Sequence, residues 1–229
     1  DSRSLIKTII KDMQLGDKTY NPSHIQSHIS NMKNALISPS NYENDKELRQ
    51  ADERAKRPLT YAIYKSYWNR CFVAGAMDFD DLILQTLLLL QENEMVRSWC
   101  QIKFKFVLVD EYQDTNLAQY HIVSMLAKTH RNLCVVGDDD QSIYRFRGAV
   151  IENILGFDRK YKDAKIIKLE QNYRSTDVIL DAANAIIAKN VGRKGKNLWT
   201  ERKGGSKITL KLCEEQNTEA RYLVDKIQS

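Results

Sequence analysis

Residues 106–116 read FVLVDEYQDTN, four apolar residues that stop abruptly on two acids. The run Phe106-Val107-Leu108-Val109 is short and valine-rich, so it predicts a strand buried on both faces, as strands of a parallel sheet are. A buried strand that ends in Asp110 and Glu111, with Asp114 one turn on, places carboxylates at the carboxyl edge of a sheet. Open α/β folds bind ligands at that edge. One acid there can hold Mg²⁺, directly or through water, while its neighbour orients or deprotonates a water. A solvated loop is the competing reading for an isolated Asp-Glu pair, so the rest of the chain has to decide.

The hundred residues before this stretch read as helices. Leu5, Ile6, Ile9, Ile10 and Met13 recur at helical spacing up to Gly16, and Ser23 is a candidate cap for a second helix carrying Ile25, Ile29, Met32 and Leu36. His24 and His28 share a face of that helix. They lack the glutamate of a zinc-protease motif and read as surface residues. A third helical region, 44–74, is broken near Pro58, and its stripe of Tyr61, Tyr64, Tyr67 and Trp68 reads as core packing. In MDFDDL (77–82), Asp78 suits an N-cap and the acids after it suit the first turn of a helix. Phe79, an aromatic at a helix start, is not explained by capping.

After Asn116 the pattern alternates: helix 117–128, strand 133–136, helix 151–157, strand 166–169, helix 177–189, strand 208–212 and helix 218–227. Alternation after a helical block predicts an α/β parallel sheet joined to an all-helical unit. The first strand ends in Asp110-Glu111, the second in GDDDQ (137–141) and the third in EQNYRST (170–176). If the strands are parallel, these ends share one edge and assemble acids, the amide of Gln141, Tyr173 and Arg174. That set suits a Mg²⁺-bound polyphosphate: acids for the metal, an amide to sense a phosphoryl oxygen, an arginine for transition-state charge, and a tyrosine to stack on a base. In SIYRFRGA, Tyr144 and Phe146 alternate with Arg145 and Arg147, a pattern suited to single-stranded nucleic acid.

Charge is distributed unevenly. The net charge is +5, but residues 189–211 carry eight bases against Glu201, and the remainder sums to −2. Basic charge gathered in one segment fits a polyanion or a solvated linker equally well. Cys71, Cys100, Cys134 and Cys213 are widely spaced beside apolar runs and read as reduced core thiols of a cytoplasmic protein. No run of about 18 apolar residues that could span a membrane is present.

In this order and spacing, DEYQDTN, GDDDQSIYRFRGA and LEQNYRST resemble the UvrD/PcrA/Rep group of superfamily 1 DNA helicases, and MDFDDL and NVGRKGKNLWTE extend the likeness along nearly the whole chain. The resemblance implies an ATP-dependent 3′→5′ helicase acting in DNA repair or replication, bacterial and nucleoid-associated, with ATP and Mg²⁺ as cofactors. Its implied partners are single-stranded DNA, single-strand/duplex junctions and the remaining helicase domains. By the same likeness, Asp110 binds the metal and Glu111 is the base for the attacking water. Gln141 reads the γ-phosphate, Tyr173 stacks on adenine and Arg174 is the arginine finger. Phe79, Tyr144, Phe146 and Arg147 line the DNA track, Phe146 standing where close relatives have tryptophan, while Asp114, Asp138, Asp139 and Asp140 have supporting roles.

The implied subdomains are a helical 1B-type insertion (1–77), the second part of a RecA-like 1A domain (78–191), and a linker with the start of 2A (192–229). No G-x-x-x-x-G-K-[S/T] run occurs in the 229 residues, and Gly16-Asp17-Lys18-Thr19 lacks its first glycine and spacing. The chain is therefore expected to be an internal piece with little ATPase activity alone. The alternatives are a single-stranded DNA-binding module without turnover, part of a helicase-nuclease subunit, and a metal-dependent nuclease built on Asp78, Asp80 and Asp81 with Asp110 and Glu111.

Overall fold

A computed structural model describes residues 2–16 and 18–228; Asp17, in the run 16–19 compared with a phosphate-binding motif, and the side chain of Arg147 lie outside the described residues. The chain divides into two compact units, Asp1–Ala164 and Lys165–Ser229.

The first unit begins with α1 (Ser2–Asp12), α2 (Pro22–Asn34), α3 (Pro39–Asn44), α4 (Lys46–Arg54) and α5 (Thr60–Val73). The isoleucine spacing of α1 and α2 turns one face of each helix into a core shared with α5, burying Ile6, Ile9, Ile10, Ile25 and Ile29 together with Ile63, Tyr64 and Tyr67. Tyr64 and Tyr67 are thus core residues, as their spacing predicts. The break between α4 and α5 falls across residues 55–59, which include Pro58. Asn21, not Ser23, caps α2: its side chain accepts from the Ser23 and His24 amides at 3.0 and 3.3 Å. Pro22 occupies the first helical turn, where its missing N–H costs nothing. His28 is not a surface residue either. It is half-buried, with Nε2 2.8 Å from the Tyr42 hydroxyl, which in turn donates to the buried Asp52 at 3.0 Å.

Helices α6 (Phe79–Glu92) and α7 (Glu94–Lys103) lead into β1 (Val107–Val109). Helix α8 (Leu117–Ala127) then returns the chain to β2 (Leu133–Val135), which pairs with β1 in parallel, Leu108 opposite Cys134. Short helices α9 (Glu152–Leu155) and α10 (Phe157–Lys160) follow. The α/β expectation is met in outline, as a helical block and one parallel pair crossed over by a helix.

Burial of β1 on both faces is not met. Only the α8 side is packed; Leu108 is 75% exposed, and Cys134 beside it is exposed as well. A two-stranded sheet has too few neighbours to cover both of its faces. The other three cysteines are half-buried and free; Cys71 packs against the core of α1, α2 and α5, and none of the four is fully buried.

In the second unit, the strands expected at 166–169 and 208–212 do not form. Both stretches are irregular, and Ile166, Ile167 and Leu169 are exposed. An apolar run becomes a strand only by hydrogen-bonding a neighbour. Here the pairing begins later, at a single parallel bridge between Gln171 and Trp199. Helices α11 (Asp177–Ile187) and α12 (Gln216–Gln228) lie close to their expected bounds.

Candidate functional site

Strand β1 runs straight into the acids. Asp110 is exposed, and one of its carboxylate oxygens accepts from the Glu111 amide at 2.9 Å. Glu111 adopts φ 49°, ψ 41°, a left-handed conformation rare for a residue with a Cβ and frequent where a site holds backbone strain. It turns the chain into a 3₁₀ helix, Tyr112–Asp114, which buries Tyr112 and Gln113. The end of β2 lies alongside, because the Val136 amide donates to Val109 and the Tyr112 amide donates to Val136.

Gln113 joins the two strand ends. Its Nε2 donates to Glu111 Oε2 at 2.8 Å, while its Oε1 accepts from the Asp138 amide at 2.9 Å. Asp138 then accepts from Gln141 Nε2 at 2.7 Å and from the Asp140 amide at 3.0 Å. Glu111 and Gln141 are thereby the two ends of one hydrogen-bonded chain. Nothing in the periodicity marked Gln113 as the bridge; Asp138 has the supporting part expected of it. Burial, and secondarily the charge of Glu111, raises the Asp114 carboxyl above the ordinary aspartate value, and its Oδ1 is buried without a hydrogen-bond partner.

Gly137 is where the two loops are closest. A Cβ there would sit 2.5 Å from Gln113 Oε1, 2.8 Å from Ile154 Cδ1 and 3.1 Å from the Tyr112 nitrogen. Gly137→Ala is expected to cost about 1–3 kcal/mol in urea denaturation, the usual range for overpacking. Unchanged stability would mean that the loops can part freely.

Among the described residues no group of three or more His, Cys, Asp or Glu side chains could hold a metal by itself. A single exposed carboxylate such as Asp110 still fits Mg²⁺, which keeps most of its waters and takes one or two carboxylates together with substrate phosphates. The acids of MDFDDL do not form a second metal centre. Lys33 Nζ lies 2.7 Å from Asp78 Oδ2 and 2.6 Å from Asp81 Oδ1, and Asp78 and Asp81 close a capping box at the start of α6. A buried ammonium thus bridges these two carboxylates, offsetting one of their two charges and occupying the space between them.

The capping box leaves Phe79 projecting, 89% exposed, from the first turn of α6. Tyr144 and Phe146 are also exposed, with ring centroids 6.0 Å apart and planes tilted by 39°. Exposed rings of this kind are what base stacking requires. Arg147 follows them in a 3₁₀ turn that ends at Gly148.

Tyr173 and Arg174 belong to the second unit, and both are exposed. Asn172 shapes their turn by accepting from the Arg174 and Ser175 amides at 2.9 and 2.8 Å. The turn is strapped to the basic segment: the Asn172 amide donates to the Trp199 carbonyl, and the Arg202 guanidinium donates to the Arg174 carbonyl at 2.7 Å. Tyr173 donates its hydroxyl to Gln171 Oε1 at 2.8 Å, which leaves its ring face open.

Two family models together cover nearly the whole chain. The UvrD/REP helicase N-terminal domain matches residues 1–162, and the UvrD-like helicase C-terminal domain matches residues 167–229. The ATP-dependent DNA helicase PcrA of Staphylococcus epidermidis is 44% identical over 227 residues, which is 99% of this chain and 30% of the relative. The ATP-dependent DNA helicase UvrD1 of Mycobacterium tuberculosis is 43% identical over 236 residues, covering all of this chain and 30% of the relative. The chain thus spans about a third of the length of the curated relatives it matches.

Proposed function

The chain belongs to the UvrD/REP helicase family, and we propose that it forms part of an ATP-dependent 3′→5′ DNA helicase that moves on single-stranded DNA in repair or replication. The observation that carries the reading is the hydrogen-bonded chain Glu111–Gln113–Asp138–Gln141 across two parallel strand ends. On this reading residues 1–77 are a 1B-type insertion, the β1–β2 pair belongs to a RecA-like 1A sheet, and the linker and start of 2A follow from residue 192.

The roles are those that the family resemblance implies, and the chemistry of each side chain suits its part. Asp110 would hold Mg²⁺, which would supply charge neutralisation to the phosphates of ATP. Glu111, oriented by Gln113, takes the proton of the attacking water. Gln141 presents its amide to the γ-phosphate, so any movement of that amide is felt through Asp138 and Gln113 at Glu111. Arg174 stabilises transition-state charge, and Tyr173 stacks on the adenine. Phe79, Tyr144 and Phe146 stack on bases, with Arg147 on phosphate. A cytoplasmic, nucleoid-associated location accords with such a role; among the described residues no helix is long and apolar enough to cross a membrane.

A polypeptide of the relatives' length that carries this segment is expected to hydrolyse ATP in response to single-stranded DNA and to open duplexes with a 3′ tail in preference to a 5′ tail. DNA-independent hydrolysis, or equal action on both tails, would overturn the assignment. The 229 residues alone, which hold no G-x-x-x-x-G-K-[S/T] run, are expected to bind single-stranded DNA with little turnover.

A further inference from the structure

Asn34, the last residue of α2, is buried where three separate segments meet. Its Oδ1 accepts from Asn116 Nδ2 at 2.6 Å, and its Nδ2 donates to Asp80 Oδ1 at 3.3 Å. Its Cβ lies so near Gly148 that a Cβ on that residue would come within 3.1 Å, and Gly148 has φ +83°, a conformation that already favours glycine.

Each contact leads to a different part of the candidate sites. Asp80 adjoins Phe79 in the first turn of α6. Gly148 ends the turn that carries Phe146 and Arg147. Asn116 closes the acid loop: its Oδ1 caps α8 through the Gln119 amide at 2.9 Å, so its Nδ2 is left for Asn34. The neighbouring Thr115 carbonyl accepts from the Val150 amide, and Asn116 bridges Ala149. The loop after the aromatic run is therefore stitched to the end of the acid loop, and Asn34 lies under the stitch.

We propose that Asn34 is a positioning residue that sets the separation of the Phe79 and Tyr144–Phe146 stacking stations and ties both to the end of the acid loop, so that single-stranded DNA is held in one register relative to the ATP-responsive residues. The inference rests on the reading of those aromatics as a DNA track. A short amide suits the task because it donates to one segment and accepts from another while leaving room for the Gly148 backbone. Alanine loses both bonds, and a longer side chain would push Gly148 away.

The test uses the 229-residue chain and oligo(dT) strands carrying 2-aminopurine at successive positions, a probe whose emission reports stacking base by base. Wild-type protein is expected to change the emission at a few positions only. Asn34→Ala is expected to blur or displace that pattern and to weaken binding about 5- to 10-fold, comparable to misplacing one stacked base. The salt dependence should be unchanged, because no phosphate contact is removed. Asp80→Ala, at a half-exposed position, is expected to shift the pattern in the same way and covers the case in which Asn34→Ala does not fold.

Weaker binding with an unshifted pattern in the variants would reduce Asn34 to a stabilising residue and overturn the inference, as would wild-type behaviour. If Phe79→Ala and Phe146→Ala abolish the pattern while Asn34→Ala and Asp80→Ala keep it, only the inference fails. If Phe79→Ala and Phe146→Ala leave binding unchanged, the DNA-track reading itself falls and takes the inference with it.

Discussion

In a polypeptide of the relatives' length, Glu111→Gln is expected to lower DNA-stimulated ATP hydrolysis by about 10²–10⁴-fold, the range that a positioned general base contributes. The substitution isolates chemistry from structure. Glu111 takes its left-handed backbone because β1 must turn sharply into the Tyr112–Asp114 turn, and glutamine faces the same backbone cost as glutamate. The bond from Gln113 Nε2 also survives, since a glutamine oxygen accepts as the carboxylate oxygen does. Exposure of the side chain keeps the expected change in stability within about ±0.5 kcal/mol. What is lost is the negative charge and, with it, the ability to take a proton. Asp110→Asn should differ in kind, because its defect lies in holding the metal and should recede as Mg²⁺ is raised. A Glu111→Gln protein that keeps more than a tenth of the wild-type rate would remove Glu111 from the proton-transfer step.

Local patterns were legible where the forces are local. Ile6, Ile9, Ile10, Ile25 and Ile29 fall on buried faces because helical spacing alone puts them there. The Asp78–Asp81 capping box and the strand nature of Val107–Val109 follow from side-chain chemistry within a few residues. Apart from the cap of α2, where Asn21 stands in for Ser23, the failures needed a distant partner. Ile166-Ile167 has the composition of a strand, but no amount of β-propensity supplies a neighbouring ladder. Leu108 is apolar and still exposed, because the face it points to has no covering element among the described residues. The candidate site divides in the same way. Asp110, Glu111 and Gln141 stood out as polar residues at the ends of apolar runs, whereas Gln113 became visible only once two loops met around it. Lys33 did leave a trace: it continues the stripe of Ile25 and Ile29 at four-residue spacing, and a charge on a buried stripe requires a counter-charge.

Lys33→Met should be strongly destabilising, at about 3–5 kcal/mol, because it removes one partner of a buried ion-pair cluster and leaves the others. Lys33 is 1% exposed, bonded to Asp78 and Asp81 and set near the rings of Tyr67 and Trp68. Methionine fills the same space but brings no charge. The pH dependence identifies the cause. Burial pushes the Asp78 carboxyl up, but bonds from Lys33, from Tyr67 and from the Asp81 backbone outweigh it and hold Asp78 below the ordinary 3.8. That contribution is present above 3.8 and is lost as pH falls through the depressed value. Burial dominates at Asp81 and raises it, so its contribution has the opposite sign and is lost as pH rises through the raised value. Without the ammonium, burial raises both carboxyls, and the variant binds more protons folded than unfolded, so it gains stability as pH falls. The gap between wild type and Lys33→Met is therefore expected to be widest near neutrality and to narrow on acidification. Adding Asp81→Asn to Lys33→Met should recover part of the loss, since one buried charge fewer is left without a partner. Urea denaturation at pH 7 and pH 4 measures all of these differences. A gap that is small at pH 7, or that widens in acid, would show that packing, and not the buried charges, holds the turn from which Phe79 projects.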